Sequence, residues 1–372
     1  MKLAIDATVL ENNKPTGVGT FTANVVNRLA CGKTDSTVFT LDDSLLEIGK
    51  HKQVHIFPKI KKILKNNIYF ARAAWTQFVL PSLLKKGEFD VFFSPIAEGV
   101  INPPIPQVVT VHDLTPLLFP NRVPLSRYLS YKYRLPPILK SSKRIIAVSN
   151  SVKEDIVSFY GISADKIHVV YEGYDESNFR IIESSIVKTK LKNFKLLPGK
   201  YFLYVGSIFP TKNLELLITE FSKIDPDLSL VIAGKILDAA YFKKLKEIIK
   251  VKSIRNVIFL DYVPYEDLPV LYNGALSCVI PSLYEGFGLP VLESMACGTP
   301  VITSDCGSLP EIVGDAGIVV ESEQRESLLK AMKKILEDRT LRDELRIKGM
   351  NHIKRFSWQK TTNEIREICI GI

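Results

Sequence analysis

The chain has 372 residues, 46% of them hydrophobic and 24% charged, which is the balance of a globular protein and enough length for two ordinary domains. No run of about 18 apolar residues is present, which excludes a transmembrane helix. The five cysteines (Cys31, Cys278, Cys297, Cys306, Cys369) are scattered without a CxxC spacing, which points to reduced thiols rather than a disulfide frame or a zinc site.

The net charge of +9 is uneven: residues 1–180 hold 23 Lys/Arg against 16 Asp/Glu, while residues 181–372 hold 26 against 24. Residues 51–87 contain no acid at all. Such a field suits an anionic partner, whether a phospholipid surface, a lipid phosphate or a nucleic acid, or it reflects only a lysine-rich proteome.

In chain order, short apolar runs alternate with amphipathic helical patterns. MKLAIDATVL carries an acid after four apolar-rich residues, so it reads as a buried first strand and not as a secretory signal. Strand-like runs follow at 36–41, 54–57, 90–94, 107–111 and 144–148, with helical patterns near 18–30, 67–86 and 150–160. After Val170 the pattern lapses, and it restarts with strands at 201–206, 228–234, 256–261, 276–281, 299–303 and 317–321. Alternation of this kind predicts parallel sheets with helices on both faces. The lapse near 175–199 predicts a boundary between two Rossmann-like domains, with ligands at the carboxyl ends of the strands.

The loops after the strands hold the candidate residues. Gly17 and Gly19 precede the first helix; a lone GxG is a weak phosphate signal. His112, with Asp113, directly follows a strand, where it is placed to hydrogen-bond a sugar hydroxyl, stabilise charge or simply cap the strand end. The other four histidines have no metal spacing. In YVGSIFPTKNLELLI a strand ends at Gly206 and Ser207, and Lys212 stands at the start of the next helix, in reach of a diphosphate. Gly234 and Lys235 end another strand, and Val263 lies in the YVPYED turn, whose backbone is placed to hold a base. Glu266 and Asp267 there either read that base or favour a helix's first turn.

In YEGFGLPVLESMACGTP, Pro290 suits a first helical turn, predicting a helix over about 289–297. Glu285 then lies in the loop and Glu293 in the first turn, bracketing a helix N-terminus that favours phosphate. Gly286 and Gly288 let backbone amides approach a ligand. Two carboxylates around bare amides suit the two ends of one nucleotide sugar.

These segments resemble the E-x7-E signature of retaining GT-B glycosyltransferases, in the large family that includes bacterial α-mannosyltransferases. CGTPVITSDCGSLPEIVGDAG is similar to that family's usual continuation, GVGTFTANVV to its N-terminal GxGxY/F segment, VVTVHDL to its T-[VI]-H-D element and the segment ending in Lys212 to its G-x5-K-N element. The resemblance implies two Rossmann-like domains facing each other across a cleft: an acceptor domain over 1–175, a donor domain over 199–356 and a last helix over 357–372 crossing back to the first. It implies catalytic roles for His112, Glu285 and Lys212. Glu285, helped by the amides of Phe287 and Gly288, would contact the hexose, with Leu289 beside them, and Glu293 the ribose. No metal or other cofactor is implied. The favoured donor is GDP-mannose, and the implied acceptor is a glycan or lipid-linked sugar in surface polysaccharide synthesis.

Three positions depart from the family pattern. Ser207 stands where many members carry Arg, leaving Lys212 as the cation on the leaving group. Glu172 and Tyr174 replace Asn and Val in the hinge segment YEGYDESNF. The basic, aromatic stretch 56–86 suits contact with an anionic membrane or a core-facing helix with a charged outer face. The implied location is cytoplasmic, at the inner face of the membrane. Two rival readings are a nucleotide-sugar epimerase of the same architecture and a basic nucleic-acid-binding protein. The first needs no acceptor. The second needs base-reading or stacking elements on a basic face, which the sequence lacks.

Overall fold

Strands rich in Val, Ile, Leu and Phe alternate with helices throughout the computed structural model, which describes residues 1–10, 17–29, 35–41, 46, 52–55 and 68–372. The chain divides into two compact units, Met1–Gly173 with Trp358–Ile372, and Tyr174–Ser357.

The first unit is built on β1 (Lys2–Ala7), β2 (Asp35–Thr40), β3 (Lys52–His55), β4 (Val91–Ser94), β5 (Gln107–Val111), β6 (Arg144–Ala147) and β7 (Ile167–Val169). They form one sheet in the order β3-β2-β1-β4-β5-β6-β7, and every neighbouring pair in it is parallel. Leu3 stands opposite both Ser36 and Val91, so β1 is central. Its interior residues are buried on both faces, as expected for a strand covered by helices on each side. β7 was not anticipated: three residues carry no readable period, and only pairing of Ile167 with Ile145 defines it.

The second unit holds β8 (Tyr201–Val205), β9 (Ser229–Ala233), β10 (Val257–Asp261), β11 (Ser277–Ile280), β12 (Val301–Ser304) and β13 (Ile318–Val320). Their order is β10-β9-β8-β11-β12-β13. Each sheet therefore reverses direction beside its first strand, between β1 and β4 and between β8 and β11. In open parallel sheets the ligand crevice lies outside the carboxyl ends of the strands at that reversal.

Helix ends follow local chemistry. Ser149 accepts a hydrogen bond from the Val152 amide (3.2 Å) at the start of the helix Asn150–Tyr160, which ends at Gly161 in a left-handed conformation. Asp238 caps Ala239–Val251 through the Tyr241 amide at 2.9 Å. The stretch after Val170 is not structureless: it contains the helix Ser184–Leu191, which belongs to the second unit. The last helix, Trp358–Ile370, packs within the first unit, where Trp358 meets Phe21 edge-on and Thr361 Oγ1 donates to the Tyr171 carbonyl at 2.7 Å. Among the described residues no helix is long and apolar enough to cross a membrane.

Candidate functional site

In the second unit the loops after β8 and β11 meet at the switch point. Lys212 ends a short 3-10 turn, Pro210–Lys212, and Asn213 then takes a left-handed φ of 54° before the helix Leu214–Phe221 begins. Lys212 Nζ lies 2.6 Å from Glu285 Oε1, with both side chains about one-fifth exposed. Ser282 Oγ donates to the same carboxylate oxygen at 2.7 Å. Sequence reasoning gives the lysine to the diphosphate and the glutamate to the hexose; the fold joins them into one ion pair. A partly buried pair of this kind holds both charges in place, and each keeps donors or lone pairs for a ligand.

The backbone around Glu285 is braced from behind. Ser308 Oγ donates to the carbonyls of Glu285 (3.0 Å) and Phe287 (2.7 Å), and the Ser308 amide also donates to Glu285 O. Gly288 follows at φ 104°, in the left-handed region that favours glycine, and opens the helix Leu289–Ala296. No side chain caps that helix; Pro290 has no N–H and the Val291 amide donates to the Gly288 carbonyl at 2.9 Å, which leaves the Leu289 amide for whatever lies beyond. Phe287 itself is buried against Phe356.

Glu293 lies one turn deeper than the sequence suggests. The helix starts at Leu289, which puts Glu293 in its second turn, almost fully buried, with Tyr272 donating its hydroxyl to Oε2 at 2.8 Å. Burial pushes its carboxyl up to about 7; the Tyr272 hydrogen bond opposes that rise, and the Asp175 charge adds to it.

Gly206 and Gly234 have an internal reason to be glycine. A Cβ on Gly234 would stand 1.8 Å from the Gly206 carbonyl oxygen, and one on Gly206 would meet the Tyr204 hydroxyl at 2.7 Å. The close approach of two strand ends therefore demands them before any ligand does. Ser207 is half-buried, Lys235 exposed and Val263 buried on the same side of the sheet's connections.

In the first unit His112 follows β5, and both of its ring nitrogens face acceptors. Nδ1 lies 3.1 Å from Glu172 Oε1 and Nε2 lies 2.8 Å from the Pro95 carbonyl. Only the doubly protonated ring donates to both. Burial disfavours that charged form, yet the hydrogen bond and charge of Glu172, with the Pro95 carbonyl and Asp113, outweigh it and raise the pKa above 6.5. Glu172, one of the two departures in the hinge segment, is thus the partner of the predicted histidine; its own signal in the sequence is only that replacement of Asn by an acid.

Beside His112 opens a pocket of about 440 Å³, whose lining includes Arg72, Glu98, Asp113, Arg127 and Arg134. Its size falls in the range of small-molecule sites. Arg72 donates to Glu98 at 2.9 Å. Gly19 is buried in the helix Gly17–Leu29, and a Cβ on Gly17 would meet nothing within 4 Å. The loop before Gly17 and the basic run 56–67 lie outside the described residues.

A family model for Glycosyltransferase Family 4 matches residues 15–178, and one for Glycosyl transferases group 1 matches residues 188–352. O-antigen chain mannosyltransferase B of Escherichia coli is 32% identical over 263 residues, spanning 69% of this chain and 68% of that protein. O-antigen chain mannosyltransferase RfbU of Salmonella typhimurium is 31% identical over 230 residues, spanning 62% and 60%. Among solved structures, Anabaena Alr3699/HepE in complex with UDP and glucose superposes with a TM-score of 0.78 at 17% identity, over 100% of both chains. WaaG, a glycosyltransferase involved in lipopolysaccharide biosynthesis, gives 0.74 at 19% identity, also over 100% of both. The fold is therefore GT-B.

Proposed function

The chain belongs to the Glycosyl transferases group 1 family and is a hexosyltransferase, and on that premise we propose that it moves mannose from GDP-mannose to a glycan or lipid-linked acceptor in surface polysaccharide synthesis, with retention of the donor's anomeric configuration. The observation that carries this reading is the Lys212–Glu285 pair at the switch point of β8 and β11, beside the uncapped helix Leu289–Ala296. The mannosyl donor is favoured by the names of the two sequence relatives.

Lys212 and the helix's first amide would receive the diphosphate and Glu285 the hexose, as the resemblance implies. As the bond between the anomeric carbon and the phosphate oxygen breaks, its electron pair stays on the diphosphate, where the ammonium and amide stabilise it. The acceptor hydroxyl attacks from the same face, forms the new glycosidic bond and passes its proton to the leaving phosphate oxygen. His112, whose two ring N–H groups are engaged by Glu172 and the Pro95 carbonyl, would contribute its charge, and Glu293 would hold the ribose hydroxyls. Positioning and electrostatics supply the catalysis.

A thermal-shift series with GDP, GDP-mannose, UDP-glucose, ADP-glucose and dTDP-glucose tests the donor. GDP and GDP-mannose are expected to give the largest shifts. A shift with a uridine sugar and none with guanosine ligands overturns the mannosyl reading.

A further inference from the structure

We propose that Thr361 and Trp358, on the last helix, are positioning residues for His112, which they reach by two separate routes through the first unit. Their role in catalysis rests on the transfer reaction proposed above; the contacts themselves do not.

Three groups hold the imidazole. Glu172 Oε1 lies 3.1 Å from Nδ1, the Pro95 carbonyl lies 2.8 Å from Nε2, and the Phe21 ring meets the imidazole edge-on with centroids 4.7 Å apart. Pro95 directly follows β4 and is placed by the sheet. The other two holders are steadied by the last helix.

The first route is a hydrogen bond. β7 ends at Val169, and one more ladder bond follows, from the Val170 amide to the Ala147 carbonyl at 2.9 Å. Glu172 lies beyond that last bond. Just before it, Tyr171 is pinned at both ends: Asn150 Nδ2 donates to its hydroxyl at 3.1 Å, and Thr361 Oγ1 donates to its carbonyl at 2.7 Å. The Tyr171 carbonyl and the Glu172 amide form one planar unit, so the Thr361 bond fixes the plate from which the carboxylate emerges. Burial works against a charged ring at His112, while Glu172 and then Asp113 work for it. Asp113 comes next in the chain, whereas Glu172 is 60 positions away and faces the ring only because the fold puts it there.

The second route is packing. Phe21 and Trp358 are both buried, and their rings meet edge-on at 6.0 Å. Phe21 therefore touches both Trp358 and His112, and a close-packed interior passes on a displacement rather than absorbing it. Trp358 Nε1 is enclosed without an acceptor among the described residues, so its contribution is the ring and not a hydrogen bond. Arg366 Nη2 donates to the Arg28 carbonyl at 3.1 Å and anchors the same helix further along. The chain builds the whole second unit, Tyr174–Ser357, between Glu172 and the helix that steadies it.

Thr361→Val in the full chain tests the first route, because it keeps the shape and removes the hydroxyl. Thr362 supplies a matched control: it is as buried, but its Oγ1 donates to the Trp358 carbonyl inside the helix at 2.7 Å. Two quantities are read: the titration midpoint of His112 from its ring proton resonances, and the steady-state kinetics of transfer. Thr361→Val is expected to lower the midpoint and to cut kcat about tenfold, with the donor KM unchanged within about twofold. Thr361→Ser is expected to restore both, and Thr362→Val to move neither. In a Glu172→Gln background, Thr361→Val is expected to change kcat by less than about twofold. Trp358→Phe, which removes no hydrogen bond, is expected to shift the His112 resonances and reduce kcat about threefold; it carries the test if Thr361→Val does not fold. An unmoved midpoint in Thr361→Val, or an equal shift in Thr362→Val, overturns the route through Glu172. Unmoved resonances in Trp358→Phe overturn the route through Phe21. If no nucleotide sugar supports transfer by the unsubstituted chain while the Thr361-dependent midpoint persists, the transferase reading fails and the positioning stands.

Discussion

The two units share a strand order around a reversal but use it differently. In the second, the loops after β8 and β11 converge on one ion pair, Lys212–Glu285, with serines bracing the backbone behind it. In the first, the loop after β5 offers a histidine held by a carboxylate and a carbonyl, beside a pocket rich in arginine. The same crevice geometry thus hosts a lysine–glutamate pair in one unit and a histidine–glutamate pair beside an arginine-lined pocket in the other. Such paired groups are set before a ligand arrives.

Substitutions that remove each half of this contrast rank by expected effect. Lys212→Ala and Glu285→Gln should each lower the transfer rate by about 10²–10³-fold with little change in the far-UV spectrum. Because the two touch, the double variant should lose much less than the product of the single losses. Near-normal rates in both singles would remove the second unit's site from the chemistry.

Glu293 gives the next effect, in stability. Its carboxyl sits near 7 in the folded protein against an ordinary 4.5, so the folded state holds the proton more tightly than the unfolded one. The resulting stabilisation is present below 4.5 and is lost as pH rises through 7, a swing of about 3 kcal/mol. Glu293→Gln should therefore melt higher than the parent at pH 8 and close to it at pH 4.5. Its affinity for the nucleotide should fall about tenfold, since a ribose would lose a charged acceptor. A melting difference independent of pH contradicts the burial argument.

Glu172→Gln addresses the first unit. Removing the charge beside His112 should lower the imidazole titration midpoint, read from its ring proton resonances. If transfer uses the imidazolium, activity falls as pH rises through that midpoint, and in the variant the fall begins at lower pH. An unmoved profile would separate His112 from the reaction. The smallest effects should come from helix caps, one per unit. Ser149→Ala and Asp238→Ala should each cost about 1 kcal/mol of stability and leave transfer unchanged, because neither cap touches the described site residues.

Much of the fold is readable from periodicity. The strands at 107–111 and the helix at 150–160 agree with the structure to the residue, because buried parallel strands and capped amphipathic helices write themselves into local sequence. β7 and the helix Ser184–Leu191 were missed because a three-residue edge strand and a weakly amphipathic helix take their definition from neighbours. Gly206 and Gly234 stand among the candidate residues after strands, and the structure adds a reason internal to the fold, the contact of one strand end with the other. Tyr272, Ser282 and Ser308 escaped notice because hydroxyls carry no motif of their own, and Glu172 stood out only as a departure from the hinge pattern.

The amino-acid sequence by itself determined that two α/β units would form, that Lys212, Glu285 and His112 would stand in loops directly after strands, and that a helix would begin beside Gly288. These are local facts, set by hydrophobic period, turn residues and glycine freedom. Only the tertiary structure decided which side chains meet. Residues 73 positions apart formed the Lys212–Glu285 pair, residues 60 apart joined His112 to Glu172, and Tyr272 reached Glu293 across 21. Charge pairing, burial and the pKa shifts that follow depend on distances in space, which strand order sets and sequence spacing does not.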